Sequence, residues 1–340
     1  MLFGPSRFLA SAAGALFLAF AAHAQTPPTP PARPMITQPI NEAAVVALSG
    51  NTRPEANAAN SRGAVSDSLR MEHMLLQLRR PPEQEEALNA LLEQLHDPAS
   101  PSFHQWLSAD QFGARFGLAA ADLDTITTWL EGRGFTVNVV YPNGVLIDFS
   151  GTAGQVSAAF RTEINNLEVN GVAHIANMSD PQIPAALAPA VVGIVSLNDF
   201  KPRPLYKLVG TPQFTLGNGL FNLVPADLAT IYNINPLFTA GITGVGQTIH
   251  LVESSNIFTA NDWNAFRTTF GLQGFSATLT QIHPQPPSGS SNCADPGAIP
   301  GVDDEAILDT QWATAAAPSA AIVVASCADT NVSFGFFTAT

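Results

Sequence analysis

The sequence is poor in charged residues, in lysine and in cysteine. Of its 340 residues only 12% are charged, and the two lysines are Lys201 and Lys207. Asp and Glu number 27 against 14 Lys and Arg, so the net charge is -13. A coiled coil or a charge-rich disordered protein would carry far more charge than this. We expect no nucleic-acid partner and no acidic membrane surface as partner, because both bind through basic patches.

Apolar residues, proline and glycine are abundant instead. Hydrophobic residues make up 46% of the chain, which also has 27 prolines and 25 glycines. At roughly 100 to 200 residues per domain, this length indicates two domains, each able to bury a core.

The first 24 residues resemble a secretory signal peptide. Arg7 precedes an apolar run at 8–20, and Ala22 and Ala24 are the small residues that a signal peptidase recognises. The alternative is a membrane anchor, but spanning a bilayer takes about 20 residues, and no later run is long enough. We therefore expect cleavage after Ala24 and a secreted or periplasmic protein without a membrane partner.

Export also bears on the two cysteines, Cys293 and Cys327. Outside the cytosol they can oxidise to a disulfide, and an even number of cysteines favours this pairing. Two isolated thiols are the alternative, which the sequence leaves open.

The first domain is expected at 66–204, after a Pro-rich disordered linker at 25–65. Its predicted elements are a strand at 68–78, helices at 83–95, 108–116 and 122–133, a hairpin at Asn143-Gly144, a helix at 152–160, a hairpin at Asn170-Gly171, then a helix and a strand. This order is that of an α+β antiparallel sandwich of the ferredoxin-like kind. A junction at 205–222 is expected to be exposed and open to proteolysis.

The second domain, 223–340, alternates strands and helices. Strands are predicted at 247–252, 277–282 and 321–326, with helices at 261–270 and 303–317. Such alternation implies right-handed crossovers and a parallel sheet. Three parallel strands are few for such a layer, so we expect this domain to be incomplete.

Several motifs of the first domain resemble one family. They are Asp97-Pro-Ala-Ser-Pro-Ser-Phe-His-Gln-Trp-Leu-Ser108, Phe112 to Gly117, Phe149-Ser-Gly-Thr152, Ala173-His-Ile-Ala-Asn177 and Asp180-Pro-Gln-Ile-Pro-Ala-Ala-Leu-Ala-Pro189. They look like the activation pro-domain of kumamolisin-type sedolisins, which are secreted serine-carboxyl peptidases. The stretches at 224–233 and 241–249 resemble the start of the mature sedolisin domain.

The resemblance implies a subtilisin-like α/β catalytic domain, held inactive by its pro-domain until acid triggers self-cleavage. Its partners would be protein substrates and the pro-domain itself. The family's Glu-x-x-x-Asp motif is matched by Glu305 and Asp309, in the roles of general base and supporting acid. Residues four apart on a helix share a face, so these two carboxyl groups could share a proton. The alternative is that both acids merely decorate a helix N-terminus.

Other family features have no match in these 340 residues. The Ser-Gly-Thr-Ser nucleophile motif, the oxyanion Asp and the calcium site lie further along in the family, so calcium is implied only outside this chain. Ser150-Gly151-Thr152 is a lookalike that fits the pro-domain pattern instead. We expect no peptide hydrolysis by this chain alone. The alternative function is a secreted pro-domain-like inhibitor or foldase of a peptidase, or a non-catalytic gene remnant.

The histidines give two further hypotheses. A histidine-based hydrolase could use His250 or His283 with Glu253, but neither lies in a glycine-flanked helix start. His104 and His174 lie in pro-domain motifs, where they could gain charge below about pH 6.5 and loosen the inhibitory interface. The histidines do not have the spacing of a metal site.

Overall fold

The computed structural model describes residues 32–195, 197–201, 223–286 and 292–339. The expected signal peptide at 1–24 and the junction at 205–222 lie outside these residues. We call residues 32–201 the first part and residues 223–339 the second part. No helix among the described residues has both the length and the apolar character needed to cross a membrane.

The first part is built from antiparallel sheets and four helices. Its elements are β1 Val45–Ala47, β2 Ser61–Ala64, β3 Arg70–Leu78, α1 Pro82–His96, α2 Ala109–Phe116, α3 Ala120–Gly132, β4 Thr136–Val140, β5 Leu146–Thr152, α4 Ala153–Phe160, β6 Ile164–Val169, β7 Val172–Asn177, β8 Gln182–Pro184 and β9 Val191–Val195. The main sheet has the order β4-β5-β3-β9, with every neighbouring pair antiparallel. Two smaller sheets have the orders β2-β6-β7 and β1-β8.

The core of the first part lies against one face of the main sheet. It contains fully buried large side chains from β3, β5, α3 and α4, among them Met74, Ile126, Phe149 and Phe160. Alternation along β5 points Phe149 into this core and Asp148 and Ser150 to the opposite face. Both of these polar residues are nevertheless buried, so that face is covered as well.

Local sequence signals explain several element boundaries. Ser108 and Thr152 begin α2 and α4 with complete capping boxes, in which Gln111 and Gln155 return the hydrogen bond. Asn170 and Gly171 both have positive φ, as the tight β6–β7 turn requires. At the β4–β5 turn only Gly144 has positive φ, and the Asn143 side chain accepts a hydrogen bond from the Val145 N–H. The sequence predicted the same kind of turn at both places, so this turn differs from the prediction.

Two expectations for the first part are wrong. Residues 32–65 do not form a disordered linker: they include β1 and β2, and Met35 and Ile36 pack against the core. The predicted helix between β7 and β9 does not form, since β8 and turns occupy this stretch. Its prolines at 181, 184 and 189 interrupt any helical hydrogen-bond ladder.

The second part contains the parallel sheet that strand–helix alternation predicted. Its elements are α5 Pro225–Ile231, α6 Asn235–Thr239, β10 Thr248–Glu253, α7 Ala260–Thr269, β11 Thr278–Ile282, α8 Asp303–Ala316, β12 Ala321–Ser326 and α9 Gly335–Thr338. Both β10 and β11 pair in parallel with the central β12. Helix α8 packs against β10, β12, α5 and α7.

A disulfide joins Cys293 to Cys327, just beyond the end of β12. The backbone is crowded next to it, because a Cβ atom at Gly335 would lie 1.6 Å from the carbonyl oxygen of Cys327. No side chain fits at that position, so the chain returns closely past the bridge as α9 begins.

Asp122 holds the N-terminal segment of the first part in place. Its buried carboxylate accepts hydrogen bonds from the N–H groups of Met35 at 2.8 Å and Ile36 at 2.9 Å. We predict that Asp122→Ala lowers the free energy of unfolding by about 1 to 3 kcal/mol, because two part-buried donors lose their acceptor. Hydrogen exchange should accelerate at the amides of residues 35 and 36.

The matched control is Asp124→Ala, which removes an exposed carboxylate from the same helix. Unchanged exchange at residues 35 and 36 in Asp122→Ala would contradict this account of the segment.

Candidate functional site

Glu253 is the last residue of β10 and points towards helix α8. Side chains alternate along the strand, so Glu253 shares its face with Ile249 and Leu251, while His250 lies on the other face. The Glu253 side chain is buried, with 8% of its surface exposed. A buried carboxyl group at the end of a parallel strand is a typical component of a binding or catalytic site.

Glu305 and Asp309 lie one turn apart on α8, close to Glu253. Both carboxyl groups act electrostatically on Glu253, and the Asp309 side chain is hydrogen-bonded to it. Glu305 is half-buried and Asp309 is exposed. The structure therefore brings the two acids singled out by spacing to the side of α8 that meets the strand end. It adds Glu253, which the sequence suggested only for a histidine-based site.

The pKa of Glu253 is raised from 4.5 to about 8. Burial is the largest cause, followed by the negative charges of Asp309 and Glu305 and the hydrogen bond to Asp309. At neutral pH Glu253 is therefore largely protonated and can donate its hydrogen bond to the Asp309 carboxylate. The sequence led us to expect a proton shared by Glu305 and Asp309, whereas this hydrogen bond places it between Glu253 and Asp309.

The contacts around α8 fix the position of its acidic turn. Trp263 on α7 donates its indole N–H to Thr314 on α8 at 2.7 Å, in a buried contact. At the other end of the helix, the Ser255 hydroxyl accepts the Ile299 N–H at 2.9 Å. Since Ile299 in turn accepts the N–H groups of Val302 and Asp303, the strand end anchors the start of α8.

The histidines of the second part do not join this cluster. His250 faces away from Glu253, and His283 bonds the carbonyl oxygen of Ser326 at 2.8 Å and the Asp295 carboxylate at 3.4 Å. This geometry gives no support to the histidine-based hydrolase.

The first part holds a second buried polar cluster, which the sequence did not reveal. Asp148 is completely buried, and His73 bonds it at 2.9 Å with a ring nitrogen. The Asp148 carboxylate raises the pKa of His73, although burial acts in the opposite direction. His73 sits in a bulge of β3 with φ of 59°. A sequence pattern for a regular strand gives no signal for such a residue.

Ser150, the nucleophile lookalike, has a structural role in this cluster. Its hydroxyl accepts hydrogen bonds from the His73 N–H at 3.0 Å and the Asn138 amide at 2.7 Å. These contacts fix the β3 bulge against β4 and β5.

The two histidines proposed as pH sensors have contacts within the first part. His174 pairs with Asp199 at 3.0 Å and stacks on Phe200 at 4.0 Å. His104 stacks between Phe103 and Trp106. Among the histidines that the structure describes in the first part, His73 differs in one respect. Its carboxylate partner, Asp148, also accepts a hydrogen bond from Asn292 of the second part.

The described residues contain no group of three or more His, Cys, Asp or Glu side chains that could hold a metal ion. The calcium ion implied by the family resemblance therefore finds no fitting ligand set there and stays a prediction.

Comparison with known proteins identifies the first part. The family model "Pro-kumamolisin, activation domain" matches residues 58–200. The chain is 28% identical over 275 residues to xanthomonalisin from Xanthomonas sp. (strain T-22), and 31% identical over 213 residues to sedolisin from Pseudomonas sp. (strain 101). It is also 26% identical over 302 residues to kumamolisin from Bacillus sp. (strain MN-32).

The chain is similar to sedolisin-family precursors, and residues 58–200 match their activation domain. The resemblance found in the sequence motifs is thereby confirmed. These matches cover 76%, 61% and 84% of this chain, but only 32%, 34% and 50% of the three relatives. The chain thus spans about a third to a half of the length of the sedolisin-family proteins that it matches.

The raised pKa of Glu253 makes a testable prediction about stability. Folding raises this pKa from 4.5 to about 8, so the folded chain binds an extra proton between these values. The contribution of Glu253 to stability is fully present below about pH 4.5 and is lost as the pH rises towards 8. The slope is at most about 1.4 kcal/mol per pH unit.

Glu253→Gln should remove this slope, as measured by denaturant unfolding followed by tryptophan fluorescence at several pH values. Asp262→Asn, which neutralises an exposed carboxylate on α7, is the control and should unfold with the wild-type pH dependence. Parallel curves for wild type and Glu253→Gln would show that Glu253 has an ordinary pKa.

Proposed function

We propose that this chain carries the activation domain and the beginning of the catalytic domain of a secreted, acid-acting serine-carboxyl endopeptidase. Its substrates would be proteins or peptides. The activation domain would have the ferredoxin-like fold, which the β-α-β-β-α-β order of β3, α3, β4, β5, α4 and β9 supports, since α3 and α4 both pack in the main core. The parallel sheet with α7 and α8 supports a subtilisin-like catalytic domain.

The carboxyl cluster of Glu253, Glu305 and Asp309 is the observation that carries this proposal. Three acids meet where β10 ends and α8 begins, and one of them holds its proton up to about pH 8. Acids placed only to favour a helix N-terminus would not need a buried carboxyl group opposite them. Perturbed pKa values of this kind are typical of functional sites.

In the proposed mechanism, Glu305 is the general base that accepts the proton of a serine nucleophile. Asp309, one turn further along α8, would support Glu305 as it gains this proton. Protonated Glu253 would in turn donate a hydrogen bond to Asp309 and hold its carboxylate in place. Carboxylates can accept protons in acid, where a histidine is already protonated and cannot act as a base.

No nucleophile or oxyanion group is assigned in this chain, and Ser150 is occupied in the β3 bulge. Calcium, if it has a role, would bind to ligands other than the described side chains. Secretion is proposed from the sequence at 1–24, and the disulfide between Cys293 and Cys327 agrees with an oxidising compartment.

Peptidase activity of the longest reading frame that contains this chain tests the proposal. We predict cleavage of a denatured protein substrate between about pH 3 and 5, and a loss of at least about 100-fold in kcat for Glu305→Gln, because a general base is removed. Asp309→Asn should also reduce kcat, whereas the surface control Asp262→Asn should not.

Full activity of Glu305→Gln in acid would overturn the proposed mechanism. A product that hydrolyses no protein, yet inhibits or helps to fold a separate peptidase, would establish the alternative function instead.

A further inference from the structure

The two cysteines lie next to the two places where the second part contacts the activation domain. Cys293 directly follows Asn292, and Cys327 precedes the segment from Thr330 to Val332. Their Cα atoms are 4.9 Å apart, and both residues are buried. The bridge therefore links the two segments of the second part that contact the activation domain.

The first contact satisfies a buried charge of the activation domain. The side-chain amide of Asn292 donates to Asp148 at 3.0 Å and to the Tyr141 hydroxyl at 2.9 Å. Asp148 is completely buried, and its other partners, His73 and Asn138, belong to the activation domain. A buried carboxylate is costly unless it is paired and hydrogen-bonded, so Asn292 supplies a bond that Asp148 would otherwise lack.

The second contact lies at the bulge of β3. Thr330 donates its hydroxyl to the carbonyl oxygen of Glu72 at 2.8 Å, and Asn331 donates its amide to the carbonyl oxygen of Arg70. The register of β3 against β5 shifts between Met71 and Met74. Backbone groups beside a bulge are partly released from the ladder, and these side chains provide partners for them.

An apolar residue completes this contact. Val332 is 1% exposed and packs within the core cluster formed by the activation domain. Lys201 also pairs with Asp329 at 2.6 Å. The segment at 329–332 thus contributes hydrogen bonds, an ion pair and a buried side chain.

We propose that the Cys293–Cys327 disulfide builds a docking surface, consisting of Asn292 and residues 330–332, that holds the activation domain through Asp148 and the bulge of β3. Asn292 belongs to a stretch, 292–301, without helix or strand. The bridge fixes this stretch to the end of β12, from which residues 330–332 also extend. Without the bridge, the two contacts would have to be ordered separately, at a greater cost in conformational entropy.

This inference rests on the proposed function for the roles of the two parts, but its test needs no peptidase activity.

The scarcity of lysine allows the two parts to be separated by a specific protease. Lys201 and Lys207 are the only lysines in the chain, and they lie six positions apart. A lysine-specific endoprotease should therefore cut the full chain only there, which separates the first part from fragment 208–340.

Gel filtration of the cut chain then measures whether the fragments stay together. We expect co-elution at about pH 7 with the bridge intact, and at least about tenfold weaker association for the double variant Cys293→Ser/Cys327→Ser. A dithiol reductant should weaken the wild-type complex as much as the double variant is weakened. The reductant is oxidised to a disulfide while the bridge is reduced to two thiols. It should not affect the double variant.

Asn292→Asp tests the docking contact without touching the bridge. His73, Tyr141 and Asp148 face this position, so a new carboxylate would repel Asp148. We expect at least about tenfold weaker association than wild type at about pH 7. The matched control, Asn264→Asp, adds the same charge on the exposed surface of α7 and should associate like wild type.

Hydrogen exchange on the uncut chain separates loss of docking from loss of fold. The double variant should keep protection in β10 and β12 while exchange increases at 70–74 and 329–333. Wild-type association of the double variant, or of Asn292→Asp, would overturn the proposal. Uniform loss of protection across 223–339 in the double variant would also overturn it, because the bridge would then maintain the fold and not the docking surface.

Discussion

The hydrogen bond between Glu253 and Asp309 requires a proton, and this requirement organises the second part. Two ionised carboxylates in contact would repel each other, so one acid must stay neutral. The structure assigns this role to Glu253, which is buried at the end of β10. Parallel pairing with β12 and the packing of α8 create the burial. The chemistry of the acids is therefore a consequence of how the helix is placed on the sheet.

The same principle of a compensated buried charge applies in the first part. Asp148 faces away from the core of its own domain, where a carboxylate would normally reach water. It is instead enclosed by side chains from both parts of the chain. Asp148 therefore favours a partner surface that can donate a hydrogen bond to it. An apolar surface could not replace this hydrogen bond.

Much of the fold could be predicted because it depends on local signals. Hydrophobic periodicity, the capping boxes at Ser108 and Thr152, and the turn at Asn170-Gly171 act over a few residues. The parallel sheet followed from the alternation of strands and helices. The ordered structure of residues 32–65 could not be predicted, because this segment is held by distant groups such as Asp122. Composition cannot show that a buried acceptor for this segment lies elsewhere in the chain.

The candidate site divides in the same way. The spacing of Glu305 and Asp309 on one helix face was readable from the sequence, and so was the chance of a disulfide. The position of Glu253 at a strand end was visible too, but its pKa depends on burial beneath α8. The role of His73 could not be predicted from the sequence. Its contact with Asp148 depends on a bulge in β3, and no local sequence pattern indicates this bulge. Site chemistry that arises from tertiary contacts is thus hidden until the packing is known.

The crowding at Gly335 has a consequence for recognising related chains. Its backbone passes so close to Cys327 that even a methyl group is excluded. Any homologue that retains the bridge and the same chain path must therefore keep glycine eight residues after the second cysteine. This short spacing could serve as a sequence signature for the loop, in proteins too divergent for their remaining residues to be aligned.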